Sequence, residues 1–315
     1  TSSQLEGAST TRQVAKAMLS SGRQPRDRSE QMIFNNYQAM RELARWRERP
    51  LTPDAIFAMH RVLTTDALDD PTAAGRFRRA DEPIEIVDRD GGNVLHRPPP
   101  ANELEARMDV LCAFANAGDD DGNFVHPVIR AIALHFQIGY DHPFVDGNGR
   151  TARALFYWSM LRSGYWLTEY LSISSVLKSA PAQYNRSFLY TETDDADLGY
   201  FVSHQLAVIE KAVEGLHGYL ARKTREQRQA ESLLDSASPL AARLNHRQRA
   251  LLRQALRNPG QLYRIARHQQ AHAVTYQTAR SDLLGLVEAE LMQQRKIGKA
   301  FVFEAEPDLE KRLKA

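Results

Sequence analysis

The sequence predicts an all-α protein, a helical bundle with one small β-hairpin, followed by a C-terminal unit of three helices and a β wing. Three observations support this class. Apolar residues recur at helical spacing through most of the chain, as they do over residues 31–46. Strand-like alternation stands out at residues 84–97. After residue 245, three short helical patterns precede a hairpin-like end.

The composition is that of a globular protein with one large or two modest domains. The chain has 315 residues, 43% hydrophobic and 25% charged, with a formal net charge of +2. This balance does not favour a nucleic-acid or membrane partner. The single cysteine, Cys112, excludes an intramolecular disulfide and lies in an apolar run typical of a core. No segment has transmembrane length and none reads as a signal peptide, so a cytoplasmic location is expected.

The predicted helices before the C-terminal unit are at residues 10–19, 31–46, 53 onwards, 102–117, 126–140, 150–161, 170–177, 182–190 and 198–223. Thr52 is the expected cap of the third, with Pro53 at its first helical position. His60 and His135 lie on apolar helical faces, where hydrogen-bonded core histidines are the usual case. The acidic loop at 119–123 lacks the distal glutamate of an EF-hand and is interpreted as a solvated turn.

The stretch 142–153 has the composition of a polyphosphate site between two apolar helices. Gly147 and Gly149 allow successive N–H groups to converge, and the helix that starts after them adds its positive N-terminal end. Arg150 and Arg153 are three residues apart on its first turn, so both guanidinium groups can grip the same phosphates. The pattern predicts an anion-binding nest.

Two further side chains of this stretch suggest chemistry. Asp146 is a hard oxygen ligand suited to a Mg²⁺ ion that bridges phosphates. His142 is the side chain of the stretch that can accept a proton near neutral pH, as a general base must. Each piece alone has a structural explanation, a common turn or a capping histidine. The full combination favours function.

The stretch resembles the signature of the Fic family, His-x-Phe-x-(Asp/Glu)-Gly-Asn-Gly-Arg-x-x-Arg. The resemblance implies a Fic-type helical bundle that transfers AMP from ATP to a hydroxyl side chain (Ser, Thr or Tyr) of a target protein and releases pyrophosphate. It implies His142 as the base, Asp146 on Mg²⁺ and Arg153 near the γ-phosphate. It also implies that the turn formed by Gly147, Asn148 and Gly149 surrounds the α- and β-phosphates.

The N-terminal residues are similar to the inhibitory motif of Fic proteins, (Ser/Thr)-x-x-x-Glu-(Gly/Asn), with Ser2 and Glu6 in the defining places. In isolation they would be a helix cap or a solvated end. The resemblance implies that Glu6 pairs with Arg153 and takes the γ-phosphate position, so that ATP binds unproductively. A carboxylate can compete with a phosphate for the same guanidinium fork.

The hairpin has strands at 84–87 and 93–97 and a turn at 88–92. It is either an ordinary surface hairpin or, as the resemblance implies, a flap that holds a protein substrate by main-chain pairing. The candidate docking residues are Ile84, Glu85, Ile86, Val87, Val94 and Leu95. The resemblance also places aromatic residues against adenine, for which the candidates are Tyr184 and Tyr190; aromatic residues at helical spacing are more often core.

The C-terminal unit is predicted to be a winged helix-turn-helix domain. Helices are expected at 245–257, 266–274 and, after the cap Thr275, at 276–291, followed by a hairpin-like end at 295–303. The start of the recognition helix would present Tyr276, Gln277, Thr278 and Arg280. Winged helices also serve in dimerisation and protein docking, so nucleic-acid binding and a homodimer are both open.

The predicted organisation is N-terminal helices with the inhibitory motif at 1–60, a Fic catalytic core at 61–235 and the winged-helix domain at 236–315. The function expected first is an autoinhibited protein adenylyltransferase that uses ATP and Mg²⁺. The alternatives are a DNA-binding transcriptional regulator with a nucleotide-sensing core, and a hydrolase that removes AMP, in which Glu6 would position a water.

Overall fold

The computed structural model describes residues 2–87, 93–118, 124–234, 243–297 and 300–313. The chain divides into two compact units, Thr1–Leu216 and His217–Ala315, with the boundary inside one long helix. The division into three segments at residues 60 and 235 stays a prediction. Within the described ranges, no helix is both long enough and apolar enough to cross a membrane.

The N-terminal helices are α1 (Ser2–Leu5), α2 (Arg12–Ser21), α3 (Arg28–Trp46) and α4 (Pro53–Thr64). Helix α3 starts three residues earlier than predicted because the Asp27 carboxylate caps it, accepting the Glu30 N–H at 2.8 Å. The predicted start of α4 is confirmed, since the Thr52 hydroxyl accepts the Ala55 N–H at 3.1 Å.

The hairpin pairs β1 (Ile86–Val87) antiparallel with β2 (Val94–His96). These strands are shorter than predicted, and the predicted turn at 88–92 lies outside the described residues, as does the acidic loop at 119–123. A 3₁₀ turn, Ala101–Glu103, then leads into α5 (Leu104–Asn116). Cys112 on α5 is buried, as expected of a core residue, and burial raises the pKa of its thiol to about 11.

The centre of the first unit is the pair α6 (Pro127–Asp141) and α7 (Asn148–Arg162). Every residue of α7 from 150 to 161 is buried. The short loop between the two helices buries Phe144 completely, and Trp158 of α7 donates its indole N–H to the Trp46 carbonyl at 3.1 Å. The loop therefore stands on two helices that are themselves fixed in the core.

The predicted helix at 170–177 is wrong in its first turn. The structure has a 3₁₀ helix, Trp166–Tyr170, followed by α8 (Ile173–Ser179), α9 (Pro181–Thr193) and α10 (Gly199–Leu233). Leu171 is extended and buried, and its carbonyl accepts the Tyr157 hydroxyl at 3.0 Å, so the chain cannot remain helical there. Helix α10 runs ten residues past its predicted end.

The second unit contains α11 (His246–Arg257), β3 (Leu262–Tyr263), α12 (Ile265–His272), α13 (Tyr276–Glu288), β4 (Met292–Ile297), β5 (Ala300–Ala305) and α14 (Leu309–Arg312). The three strands form an antiparallel sheet in the order β3-β5-β4. The sequence missed β3 and α14, which are too short to show periodicity. Helix α13 ends three residues early, and the left-handed Glu290 follows its end.

A core substitution in α7 tests this packing. Leu155→Ala removes a fully buried side chain, so the free energy of unfolding should fall by about 2–5 kcal/mol. Urea unfolding followed by tryptophan fluorescence measures it, because Trp46, Trp158 and Trp166 all lie in the first unit. The matched control is Val110→Ala at a site 70% exposed, which should change the value by less than about 0.5 kcal/mol. Equal losses in both variants would contradict the packing described.

Candidate active site

The loop between α6 and α7 is held by backbone geometry and by one asparagine. Helix α6 ends at Asp141, and the next residue, His142, has a left-handed φ of 40°. Gly147, just before α7, has a φ of 85°. The Asn148 side chain accepts the Phe144 N–H at 2.9 Å and donates to the Phe144 carbonyl at 2.7 Å. Asn148 therefore closes the loop on itself.

His60 supports the loop from below. Its Nδ1 accepts the Gly75 N–H at 2.9 Å, so its Nε2 carries the hydrogen and donates to the Asp146 carbonyl at 2.8 Å. The ring stacks on Phe144 with centroids 3.8 Å apart. Burial lowers the pKa of His60 to about 4, which keeps it neutral. A side chain on Gly147 would approach Thr64 Cγ2 to 2.8 Å, so glycine is needed there.

His142 presents one ring nitrogen in the form that a base requires. Its Nδ1 faces the Gly139 carbonyl, an acceptor, so Nδ1 carries the hydrogen and Nε2 keeps its lone pair. Burial lowers the pKa of His142 below its ordinary value, and the ring is therefore neutral at pH 7. Its assignment as the base stays a prediction that this tautomer supports.

Asp146 lies at the mouth of the loop with its side chain 44% exposed. One oxygen accepts the Gly147 N–H, and the other lies 3.1 Å from Arg150 Nη2 and 3.8 Å from Arg28 Nη2. Among the described residues, no group of three or more His, Cys, Asp or Glu side chains could hold a metal. One carboxylate fits Mg²⁺, which binds through few protein ligands together with phosphates and waters.

The two arginines of α7 do not converge in this structure. Arg150 is 1% exposed and donates to the Leu63 carbonyl at 3.1 Å and to Asp146. Arg153 turns instead towards α1. The phosphate contacts of both arginines stay predictions. Their protein partners differ: Arg150 connects the loop to α4, whereas Arg153 contacts the N-terminal segment.

The contacts of Arg153 join α7 to the N-terminal segment. Its Nη2 lies 2.7 Å from Glu6 Oε1, and its Nε donates to the Ser2 hydroxyl at 2.9 Å. Arg153 is 4% exposed. A Cβ added to Gly149 would meet Glu6 Oε1 at 2.4 Å, so the Glu6 carboxylate lies directly over the first turn of α7. Ser3, whose hydroxyl donates to the Met32 carbonyl at 2.9 Å, anchors α1 to α3.

The two candidate adenine contacts lie in different surroundings. Tyr184 is partly buried and packs against the core; its hydroxyl is 2.9 Å from His135 Nε2, and burial raises its pKa to about 12. Tyr190 is 48% exposed and its ring lies 5.9 Å from that of Tyr200. The structure does not bring the pair together, and their assignment to adenine stays a prediction. His135 is a core histidine, as predicted, and burial lowers its pKa to about 3.

Sequence reasoning missed two residues beside the loop between α6 and α7, Arg78 and His96. Both are buried. Arg78 Nε donates to the His142 carbonyl at 2.8 Å, and His96 Nε2 lies 2.7 Å from the Tyr140 carbonyl. The one sequence feature that could have indicated them was their position: Arg78 precedes the hairpin and His96 is its last paired residue. Neither residue type at that spacing predicts a contact with a helix more than forty residues away.

Comparisons with known proteins agree with this geometry. Residues 50–160 of this chain match the model of the Fic/DOC family. Over 115 residues, 36% of this chain, it is 33% identical to a "Protein adenylyltransferase Fic" from Nematostella vectensis; a protein of the same name from Drosophila grimshawi is 35% identical over 96 residues, 30% of this chain. The matched segments cover 24% and 18% of those two relatives.

Two solved structures share the fold. A Fic family protein from Desulfovibrio desulfuricans aligns over 97% of this chain and 84% of its own, with a TM-score of 0.60 and 20% identity. A Fic domain containing signaling protein from Bacteroides thetaiotaomicron aligns over 67% of this chain and 81% of its own, with a TM-score of 0.50 and 22% identity. At these identities the likeness concerns the fold, and it supports the predicted Fic-type helical bundle with its small hairpin.

The depressed pKa of His60 predicts a pH dependence of stability. An unfolded histidine binds a proton near pH 6.5, whereas folded His60 binds one only near pH 4, so the unfolded state holds more protons between these values. The stabilisation is complete above about pH 6.5 and is lost as the pH falls towards 4, by about 3 kcal/mol. Urea unfolding at several pH values should give a steeper loss for the wild type than for His60→Gln. Identical slopes would contradict this role of His60.

Proposed function

We propose that this chain is an autoinhibited protein adenylyltransferase. The observation that carries the proposal is the arrangement of residues 142–153, the loop after α6 and the start of α7. It combines a neutral histidine with a free Nε2, an exposed carboxylate and the N-terminus of a buried helix. The names of the relatives that match part of this chain support the reaction class. The choice of ATP and of a protein acceptor follows the resemblance and these names.

In the proposed reaction, His142 Nε2 accepts the proton of a target hydroxyl. The hydroxyl oxygen forms a bond to the α-phosphorus of ATP, and the bond from that phosphorus to the oxygen bridging to the β-phosphorus breaks. AMP stays on the protein and pyrophosphate leaves. The N–H groups around Gly147 and Gly149, with the positive end of α7, bind the phosphates. Mg²⁺, held through Asp146, would neutralise phosphate charge when bound.

Glu6 opposes this reaction by holding Arg153. A phosphate that needs the Arg153 guanidinium must displace a carboxylate 2.7 Å away that already uses one of its N–H groups. The same carboxylate lies over Gly149, where it meets the N-terminus of α7. Glu6 would therefore inhibit in two ways. It competes with phosphate for the Arg153 guanidinium, and it occupies the anion site at the N-terminus of α7. Movement of α1 away from α7 would relieve both.

The hairpin is the proposed docking place for the protein substrate. Each strand of a two-stranded sheet leaves one edge with unpaired main-chain groups, which an extended segment can join. Val87 and Val94 are 47% and 42% exposed and offer apolar contacts beside that edge. The flanking residues from Ile84 to Leu95 that the structure describes would pair with or contact the incoming chain.

The second unit is proposed to be a winged helix that binds DNA. It contains the helices α11, α12 and α13, the short helix α14 and a three-stranded sheet whose β4 and β5 would form the wing; residues 298–299 between these strands are outside the described residues. At the start of α13, Tyr276, Gln277 and Arg280 are exposed, while Thr278 pairs with Thr275. Exposed Lys296 on β4 adds positive charge, and its neighbour Arg295 pairs with Glu304 at 3.1 Å. This unit would deliver the enzyme to its target.

Labelling with α-labelled ATP and Mg²⁺ tests the enzyme proposal. Glu6→Gly should transfer at least about tenfold more label to lysate proteins than the wild type, because Arg153 becomes free for phosphate. His142→Ala in the Glu6→Gly chain should lower the rate about 10²–10⁴-fold, the usual contribution of a general base. Gln13→Ala, a change at an exposed position of the neighbouring helix α2, is the control and should stay at the wild-type level.

Two results would contradict the proposal. Label transfer that is unchanged in Glu6→Gly rules out autoinhibition by this residue, and transfer that persists in the His142→Ala chain rules out the proposed base. A chain that instead releases AMP from pre-labelled proteins, and loses this activity in Glu6→Gly, would favour the hydrolase, in which Glu6 positions the attacking water.

Gel-shift measurements over a salt series test the DNA proposal. Binding should weaken as salt rises, because phosphate contacts release counterions. Arg280→Ala should reduce the slope of log affinity against log salt by about 1 if Arg280 contacts one phosphate. Absence of binding at low salt would exclude DNA and would favour protein docking or dimerisation by this unit.

A further inference from the structure

The carbonyl groups at the C-terminal end of α6 accept hydrogen bonds from side chains. Its last carbonyls have no partners within the helix. Four successive carbonyls accept side-chain hydrogen bonds here, those of Gly139, Tyr140, Asp141 and His142. The His142 ring supplies the first, His96 the second and Arg78 the last two. Cations at this position also oppose the negative end of the helix dipole.

His96 makes two short contacts, and both of its partners are acceptors. Nε2 lies 2.7 Å from the Tyr140 carbonyl, and Nδ1 lies 2.6 Å from Glu192 Oε1 at the end of α9. The ring therefore bridges the end of α6 and the end of α9 through its two nitrogens. His96 is only 9% exposed, and its ring lies 4.8 Å from that of Tyr140. The contact is buried and involves two helices, α6 and α9.

Both sides of the hairpin are attached to this helix end. His96 is the last residue of β2 and lies opposite Ile86 of β1. Arg78, which precedes β1, also donates to the Pro99 carbonyl beyond β2, and its own N–H donates to the Pro143 carbonyl at 2.9 Å. The hairpin and the His142 ring thus share one support, the last turn of α6.

We propose that His96 is a positioning residue that sets the distance between a protein segment on the hairpin and the base His142. It does so by joining β2 to the Tyr140 carbonyl and to Glu192. The inference rests on the proposed function, because it assigns the hairpin to substrate docking. A misplacement of about 1 Å between reacting groups can cost about 100-fold in rate, so loss of this contact should act on protein labelling rather than on nucleotide binding.

The test uses the full chain with Glu6→Gly and compares His96→Phe with His96→Gln. Phenylalanine keeps an aromatic ring and removes both nitrogens, whereas the glutamine amide retains a donor for the Tyr140 carbonyl. His96→Phe should lower the rate of label transfer to lysate proteins about 10–100-fold and leave the Kd for ATP, measured by calorimetry, within about twofold. His96→Gln should recover most of the rate.

Hydrogen exchange provides a readout that does not depend on catalysis. In His96→Phe, peptides covering 84–87 and 93–97 should exchange at least about tenfold faster than in the parent, and His96→Gln should lie between the two. Arg97→Gln is the matched control on the same hairpin: it removes an ion pair with Glu85 whose arginine side chain is 74% exposed, and exchange should not change.

The outcomes separate this inference from the function on which it rests. If the Glu6→Gly parent labels proteins and His96→Phe labels them equally fast, or if the Kd for ATP shifts by the same factor as the rate, the positioning role is overturned. Equal rates for His96→Phe and His96→Gln also overturn it. If the parent labels no protein, the proposed function fails, and unchanged hairpin exchange in His96→Phe would then show that His96 does not fasten the hairpin.

Discussion

A buried guanidinium needs acceptors, and at Arg153 this need connects the N-terminal segment to the centre of the fold. Arg153 belongs to a helix whose surroundings are apolar on nearly every side, so an unpaired charge there would be costly. Glu6 and Ser2 supply the acceptors. Helix α1 has only four residues and could not persist alone. Its place against α3 and α7 follows from that charge and from the hydrogen bond of Ser3.

The two helix ends that meet at the loop are electrostatically complementary to their neighbours. The negative end of α6 faces the Arg78 guanidinium and the His96 ring, while the positive end of α7 faces the carboxylates of Glu6 and Asp146. An incoming polyphosphate would replace carboxylates with phosphates at the α7 end and leave the α6 end unchanged. The proposed switch and the proposed substrate support therefore belong to different helix termini, although His142 and Asp146 are only a few residues apart.

The prediction succeeded where a local pattern determines structure. The apolar periodicity located every long helix, and the Thr52–Pro53 pair located a helix start. It failed where tertiary contacts override local preference: the buried Leu171 interrupts a predicted helix, and β3 exists because β5 pairs with it. The i, i+3 spacing of Arg150 and Arg153 suggested that both bind the same phosphates. In the structure, Arg150 instead donates to the Leu63 carbonyl and to Asp146, whereas Arg153 contacts α1.

The sequence by itself determined the loop. Its glycines, its asparagine and its histidine lie within a few residues of one another, so their mutual geometry depends on short-range backbone conformation. Only the tertiary structure decided which distant groups meet that loop. His60 lies under Asp146, Glu6 over Gly149 and His96 against Tyr140 across separations of 40 to 150 residues, and such contacts depend on helix packing, which no local pattern encodes.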